Sequence, residues 1–244
     1  MKTIDLHVHS NFSDGTCTPE ELILLAEKKK LSAMALTDHD GVGGIIPALD
    51  ALKKLNSDLE FIPGTELSVD YRGQEIHIVG LYVDYTDKEF IEKTTSFLNR
   101  RIHRNEKMIE NFQKAGIPVT LKALQKGNSD TVVTRAHFAK FLIENGIVKD
   151  AKEAFTDKYL GKNSPLYVPR TYMNSQDAIR LILKAGGIPI LAHPMHYKME
   201  DKDKNMFLNK FKLIGNNKSI NYNKDDKNIL LALFYSRELK FVYV

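Results

Sequence analysis

The alternation of short apolar runs with helical patterns constrains this chain more than any other feature. Residues 3–8 read as a strand, 19–30 as a helix, 32–37 as a second strand and 42–55 as a second helix. Such repetition predicts helices packed around a parallel sheet. Residues 61–69 and 75–83 also read as strands, but Asp70-Tyr71-Arg72-Gly73-Gln74 between them has the length of a hairpin turn, which interrupts the parallel rhythm.

From 87 to 115 a charged segment places Phe90, Phe97, Ile102, Met108, Ile109 and Phe112 at mostly helical spacings, and Gly116 with Pro118 supplies the stop. The texture then changes. Residues 117–170 hold short helical stretches, at 136–145 and 150–160, and no strand pattern, so this part reads as a helical insertion or lid. A helix at 175–185, Gly186-Gly187 and a buried-type strand at 188–192 restore the rhythm. The expected organisation is a discontinuous barrel, 1–116 and 165–244, bracketing an insertion at 117–164. Segment 198–228 is rich in Lys, Asp and Asn, and beyond 196 only 207–214, 229–234 and 239–244 look structured.

A chain of 244 residues, 43% hydrophobic and 27% charged, can bury the core that such a domain needs. Its net charge of +4 suits an anionic substrate but is too small to announce nucleic-acid binding. Cys17 is the only cysteine, so no intramolecular disulfide is expected. No apolar run approaches the ~20 residues of a membrane span, and the start, Met1 to His7, lacks a signal-peptide pattern. A cytoplasmic protein without membrane attachment is the expectation.

The chemistry lies where apolar runs end. In Ile4-Asp5-Leu6-His7-Val8-His9 the two-residue period of a strand puts Asp5, His7 and His9 on one face, with two imidazoles about 7 Å apart that can share one small cation. Asp38-His39-Asp40 follows Ala33-Met34-Ala35-Leu36, at a strand's C-terminal end, where (β/α) barrels carry their sites. Glu66 interrupts the apolar run 61–67, and His77 sits inside Glu75-Ile76-His77-Ile78-Val79, where an unpartnered polar group is costly. His193 ends Ile190-Leu191-Ala192-His193-Pro194. Asp14 alone fits ordinary turn chemistry, and each histidine alone fits a satisfied core residue. Five histidines with carboxylates in one setting point instead to bound cations. Mixed nitrogen and oxygen donors suit zinc, manganese or iron rather than magnesium or calcium. Clustered cations of this kind bind phosphate oxygens and activate water, so phosphoester hydrolysis is their natural use.

His7-Val8-His9-Ser10 with Asp14-Gly15, Thr37-Asp38-His39-Asp40, Gly64-Thr65-Glu66, Glu75-Ile76-His77 and Ala192-His193-Pro194 together resemble the PHP (polymerase and histidinol phosphatase) family. The helical insert is similar to that of the branch containing nucleoside-bisphosphate phosphatases and small 5′-to-3′ exoribonucleases. The resemblance implies a distorted seven-stranded, TIM-like (β/α) barrel with a site for up to three metal ions at its mouth. It implies His7 and His9 on one metal, Asp14 and His39 on a second, and His77 and His193 on a third, with Glu66 bridging the first and third. Asp38 and Asp40 would orient imidazoles or act as structural caps. Thr134-Arg135-Ala136-His137 is similar to a family segment facing the site, which implies that Arg135 clamps the substrate phosphate; by itself Arg135 also fits a solvated arginine near a helix start. Arg100, Arg101 and Arg104 read either as a receiver for an anionic leaving group or RNA, or as a solvated face.

The implied substrates are phosphorylated small molecules, nucleotides or short RNA ends. A histidinol-phosphate phosphatase shares the same metal motifs, and a metal-binding remnant of little activity is a third reading. Family members of this branch continue into a Gly-Ser-Asp-x-His motif whose Asp and His complete the first and second sites. No such motif occurs here, and residues 239–244 read as the strand before it, so the C-terminal part of the barrel is expected to be incomplete.

Overall fold

The computed structural model describes residues 3–193 and residue 197. The chain runs β1 (Thr3–Val8), α1 (Pro19–Lys28), β2 (Leu31–Leu36), α2 (Ile45–Leu55), β3 (Glu60–Tyr71), β4 (Gln74–Leu81) and α3 (Lys88–Lys114). There follow α4 (Leu121–Gln125), α5 (Arg135–Glu144), α6 (Ala151–Ala154), β5 (Met173–Asn174), α7 (Ser175–Lys184) and β6 (Ile188–Leu191). The structured stretches expected at 207–214, 229–234 and 239–244, and the incomplete C-terminal part of the barrel, lie outside the described residues.

Local chemistry accounts for the boundaries. A reciprocal capping box between Thr18 and Glu21, with Pro19 in the first turn, starts α1. Asp87 and Asn174 cap α3 and α7 through their side chains. The β3–β4 hairpin is tighter than the five residues expected. Arg72 and Gly73, at φ 53° and 78°, form its two-residue turn, and left-handed φ at both positions matches the twist of the flanking strands. The helix expected at 150–160 is confined to Ala151–Ala154, and the two-residue β5 carried no periodicity to read.

β1, β2 and β3 pair in parallel, as βα units must. β3 then continues past β2 to pair antiparallel with β4, and β4 pairs antiparallel with β6. The sheet is therefore mixed and curled, the wall of a distorted TIM-like barrel with helices outside. Leu22, Ile23 and Ala26 of α1 and Ala48 and Ala51 of α2 pack on Met34 and Leu36 of β2. Phe90 of α3 and Ile179 and Ile182 of α7 pack on Leu67, Val69, Ile76 and Ile78. A separate cluster joins Met108 and Phe112 of α3 to Leu124, Phe138, Leu142 and Leu160. The sheet thus brings the C-terminal ends of β1 and β2 beside the middle of β3, where the polar residues gather.

Candidate metal centre

Glu66 lies at the focus. Its backbone bridges the end of β2, with Glu66 N–H donating to Asp38 O (3.0 Å) and Asp40 N–H donating to Glu66 O (2.9 Å). Its side chain is only 2% exposed, yet it meets imidazoles from five places in the sequence. Oε2 lies 3.2 Å from His7 Nε2, 3.1 Å from His9 Nε2 and 3.4 Å from His39 Nδ1. Oε1 lies 3.2 Å from His77 Nδ1 and 3.0 Å from His193 Nε2, and those two nitrogens are 3.2 Å apart. The rings form a closed circuit around the carboxylate, with centroid separations of 5.1 Å (His7–His9), 4.8 Å (His9–His39), 5.0 Å (His39–His77), 5.0 Å (His77–His193) and 6.3 Å (His193–His7).

Asp14 closes one side, with Oδ1 2.9 Å from His9 Nδ1 and Oδ2 3.4 Å from His39 Nε2. The structure thus brings all seven expected ligand residues to one place. Three sets have donor atoms near enough to share an ion: His7, His9 and Glu66; His9, Asp14 and His39; and His39, Glu66 and His77. Asp5, expected on the same face as His7 and His9, accepts from His7 N–H through Oδ1 (3.3 Å) and belongs to none of these three sets.

The electrostatics of this cluster select positive charge. Burial alone would disfavour a charged His9, but the carboxylates of Asp14 and Glu66 outweigh it and push the imidazole up to about 10. Burial is likewise outweighed at His77 by Glu66 and Glu75, which push it up to about 9. Against the pull of burial, His39 and His9 hold Asp14 well below the usual carboxylate range, and His39, His193, His7 and His77 do the same for Glu66. His193 is the exception, its imidazole pushed down by burial. His39 Nδ1 is buried without a hydrogen-bond partner, a costly position unless something else engages its lone pair. Imidazole nitrogens, carboxylate oxygens and an unmatched buried donor atom together fit a divalent metal ion.

Residues around the cluster hold it in shape. Asp38 accepts from Ser10 N–H (2.8 Å), Ser10 Oγ (2.6 Å) and Ser13 Oγ (2.6 Å), which straps down the loop bearing Asp14. Asp40 touches Ser68 and two arginines rather than an imidazole, accepting from Ser68 N–H (2.8 Å), Arg170 Nη2 (2.7 Å) and Arg101 Nη2. Arg101 and Arg104 are buried, so the solvated-face reading does not hold for them. Arg104 Nε donates to Val168 O (2.8 Å). Tyr197, which nothing in the sequence marks, accepts from His77 N–H (2.8 Å) through its hydroxyl, which also lies 3.0 Å from His193 Nδ1. Arg135 stands one carboxylate away from the ring. Its Nη2 donates to Glu75 Oε2 (2.8 Å), and Glu75 Oε1 lies 3.6 Å from His77 Nε2.

Imidazoles and carboxylates at the strand ends of a curled βα sheet form a candidate metal centre at the mouth of a TIM-like barrel. The chain belongs to the PHP domain family, which matches residues 5–163. It is 37% identical over 198 residues to the 5′-3′ exoribonuclease Rnm of Escherichia coli K12, covering 81% of this chain and 67% of that protein. It is 36% identical over 200 residues to the 3′,5′-nucleoside bisphosphate phosphatase of Chromobacterium violaceum, covering 82% and 69% of the two chains. A solved amidohydrolase structure from Chromobacterium violaceum, with sulfate bound and no metal, superposes with a TM-score of 0.77 at 33% identity, over 87% of this chain and 74% of that one. Among the described residues no helix is long and apolar enough to cross a membrane.

Proposed function

We propose that this chain is a metal-dependent phosphoester hydrolase acting on small nucleotides or the ends of short RNA. The observation that carries this reading is the circuit of five imidazoles around the buried carboxylate of Glu66, with Asp14 against its edge. In it His7, His9, Asp14, His39, Glu66, His77 and His193 hold up to three divalent ions, drawn from manganese, zinc and iron. Such ions supply Lewis acidity toward phosphoryl oxygens and a water acidic enough to attack at neutral pH.

The chain's own residues do the rest. Asp38 keeps the Asp14 loop against β2, and Tyr197 ties the His77 backbone to the His193 ring. Arg135, at the start of α5, receives an anionic phosphate beside the cluster. Residues 117–164 act as a lid-like insertion between the barrel elements that precede and follow it. The names of the bacterial relatives, an exoribonuclease and a bisphosphate phosphatase, support a nucleotide substrate. A lone cysteine suits a reducing cytoplasm.

Phosphate release from a 3′,5′-bisphosphonucleotide and from histidinol phosphate, measured with and without added manganese, tests the proposal. Metal-stimulated turnover of the nucleotide over histidinol phosphate is expected. Absence of stimulation by any divalent ion would overturn it, and preference for histidinol phosphate would move the substrate class.

A further inference from the structure

We propose that Glu75 is a positioning residue that ties His77 to the anion-binding Arg135, so that one carboxylate sets both a metal ligand and the substrate clamp. This rests on reading the cluster as a metal centre. Glu75 and His77 lie two apart on β4, so both side chains leave the same face of the sheet. The two nitrogens of His77 face different partners: Nδ1 points at Glu66 and His193 (3.2 Å each), and Nε2 at Glu75 Oε1 (3.6 Å).

An imidazole that offers one nitrogen to a cation must carry its proton on the other. A carboxylate on the far side favours that tautomer and fixes the ring, as in carboxylate–histidine–metal arrangements generally. The acceptor oxygen of Glu75 therefore turns the lone pair of Nδ1 inward.

The same carboxylate faces the cations of the neighbouring segments. Its Oε2 accepts from Arg135 Nη2 (2.8 Å), and its Oε1 lies 3.9 Å from Arg170 Nη1. The Arg135 guanidinium is also stacked 5.8 Å from the Tyr167 ring and 5.9 Å from the Phe155 ring, so Glu75 sets its height between two aromatic faces. Arg135 is 28% exposed on its side chain, enough for a phosphate to reach it while it stays anchored.

The variants Glu75→Ala, Glu75→Gln and Arg135→Ala, made in the full chain, separate the two halves. Zinc affinity is read by competition with a chromogenic chelator, and KM and kcat with the bisphosphonucleotide under saturating manganese. Glu75→Ala is expected to lower zinc affinity by about 10- to 100-fold, the usual effect of losing such a partner. Arg135→Ala should leave zinc affinity unchanged and raise KM. Glu75→Gln keeps an oxygen that can accept from Nε2–H but loses the charge that anchors Arg135. It should hold zinc affinity within about threefold while raising KM as Arg135→Ala does. Wild-type zinc affinity in Glu75→Ala, or a wild-type KM in Glu75→Gln, overturns the inference even if the metal centre stands. A wild-type chain that retains no zinc overturns both.

Discussion

Asp40 is the strongest test of how the fold supports this site, because one buried carboxylate serves two buried arginines. It is 3% exposed on its side chain, as against 6% for Arg101 and 4% for Arg170. Two cations outweigh the pull of burial and hold the Asp40 carboxyl far below its ordinary 3.8. Asp40→Ala would leave two guanidinium groups in a dry setting, and Arg101 Nε and Arg170 Nε already lack partners. Breaking a buried pair costs about 3–5 kcal/mol. Glu75, 3.9 Å from Arg170, can absorb part of that loss, which favours the lower end. With a urea m-value of about 3 kcal/mol per M, the unfolding midpoint should fall by about 1 M or slightly more. Asp40→Asn should fall nearly as far, since the amide keeps the shape and loses the charge. Because the folded carboxyl is depressed, its contribution is complete above pH 3.8 and fades as pH falls toward the folded value, so the wild-type and Asp40→Asn midpoints should converge in acid. A shift below about 0.3 M at neutral pH would refute the reasoning, because it would mean that water or a rearrangement reaches the arginines.

Other expectations follow from the same geometry. A Cβ on Gly15 would lie 2.1 Å from His9 O, so Gly15→Ala should displace the Asp14 loop and weaken metal binding; Gly73, at φ 78° with open space around it, should cost only about 1–2 kcal/mol as Ala and leave metal binding intact. Calorimetric zinc titrations and urea unfolding would distinguish the two. Asp38→Ala strands three buried donors, and at about 1–3 kcal/mol for each unsatisfied group it should destabilise the chain measurably in the same unfolding assay. Metal must displace protons from His9 and His77, which titrate at about 10 and about 9, so zinc affinity should rise steadily from pH 6 to 8 with proton release visible in buffers of different ionisation heat. In metal-free protein those raised values give stability that is complete below pH 6.5 and lost as pH climbs through about 9 to 10, and thermal melts across that range would reveal the loss.

The strand-end histidines were legible because each breaks an otherwise apolar run, and a buried imidazole needs a partner wherever the chain takes it. The βα alternation was legible for the same reason, since periodicity survives without any knowledge of contacts. What stayed hidden depends on long-range packing. Arg101 and Arg104 look like the polar face of a charged helix, and only the approach of Asp40, 61 residues away, and Val168, 64 away, makes them buried. Asp5 follows the strand period on paper, yet it belongs to none of the sets of donor atoms near enough to share an ion. Glu75 did carry a signal, its place two residues before His77, although its pairing with Arg135, 60 residues on, did not.

Anomalous diffraction from crystals of the chain grown with zinc addresses the central claim most directly. Density peaks bonded at about 2.0–2.2 Å to Glu66 and its surrounding imidazoles are the predicted outcome. Crystals that hold zinc only at the surface, with the imidazoles still packed against Glu66 and Asp14, would contradict it.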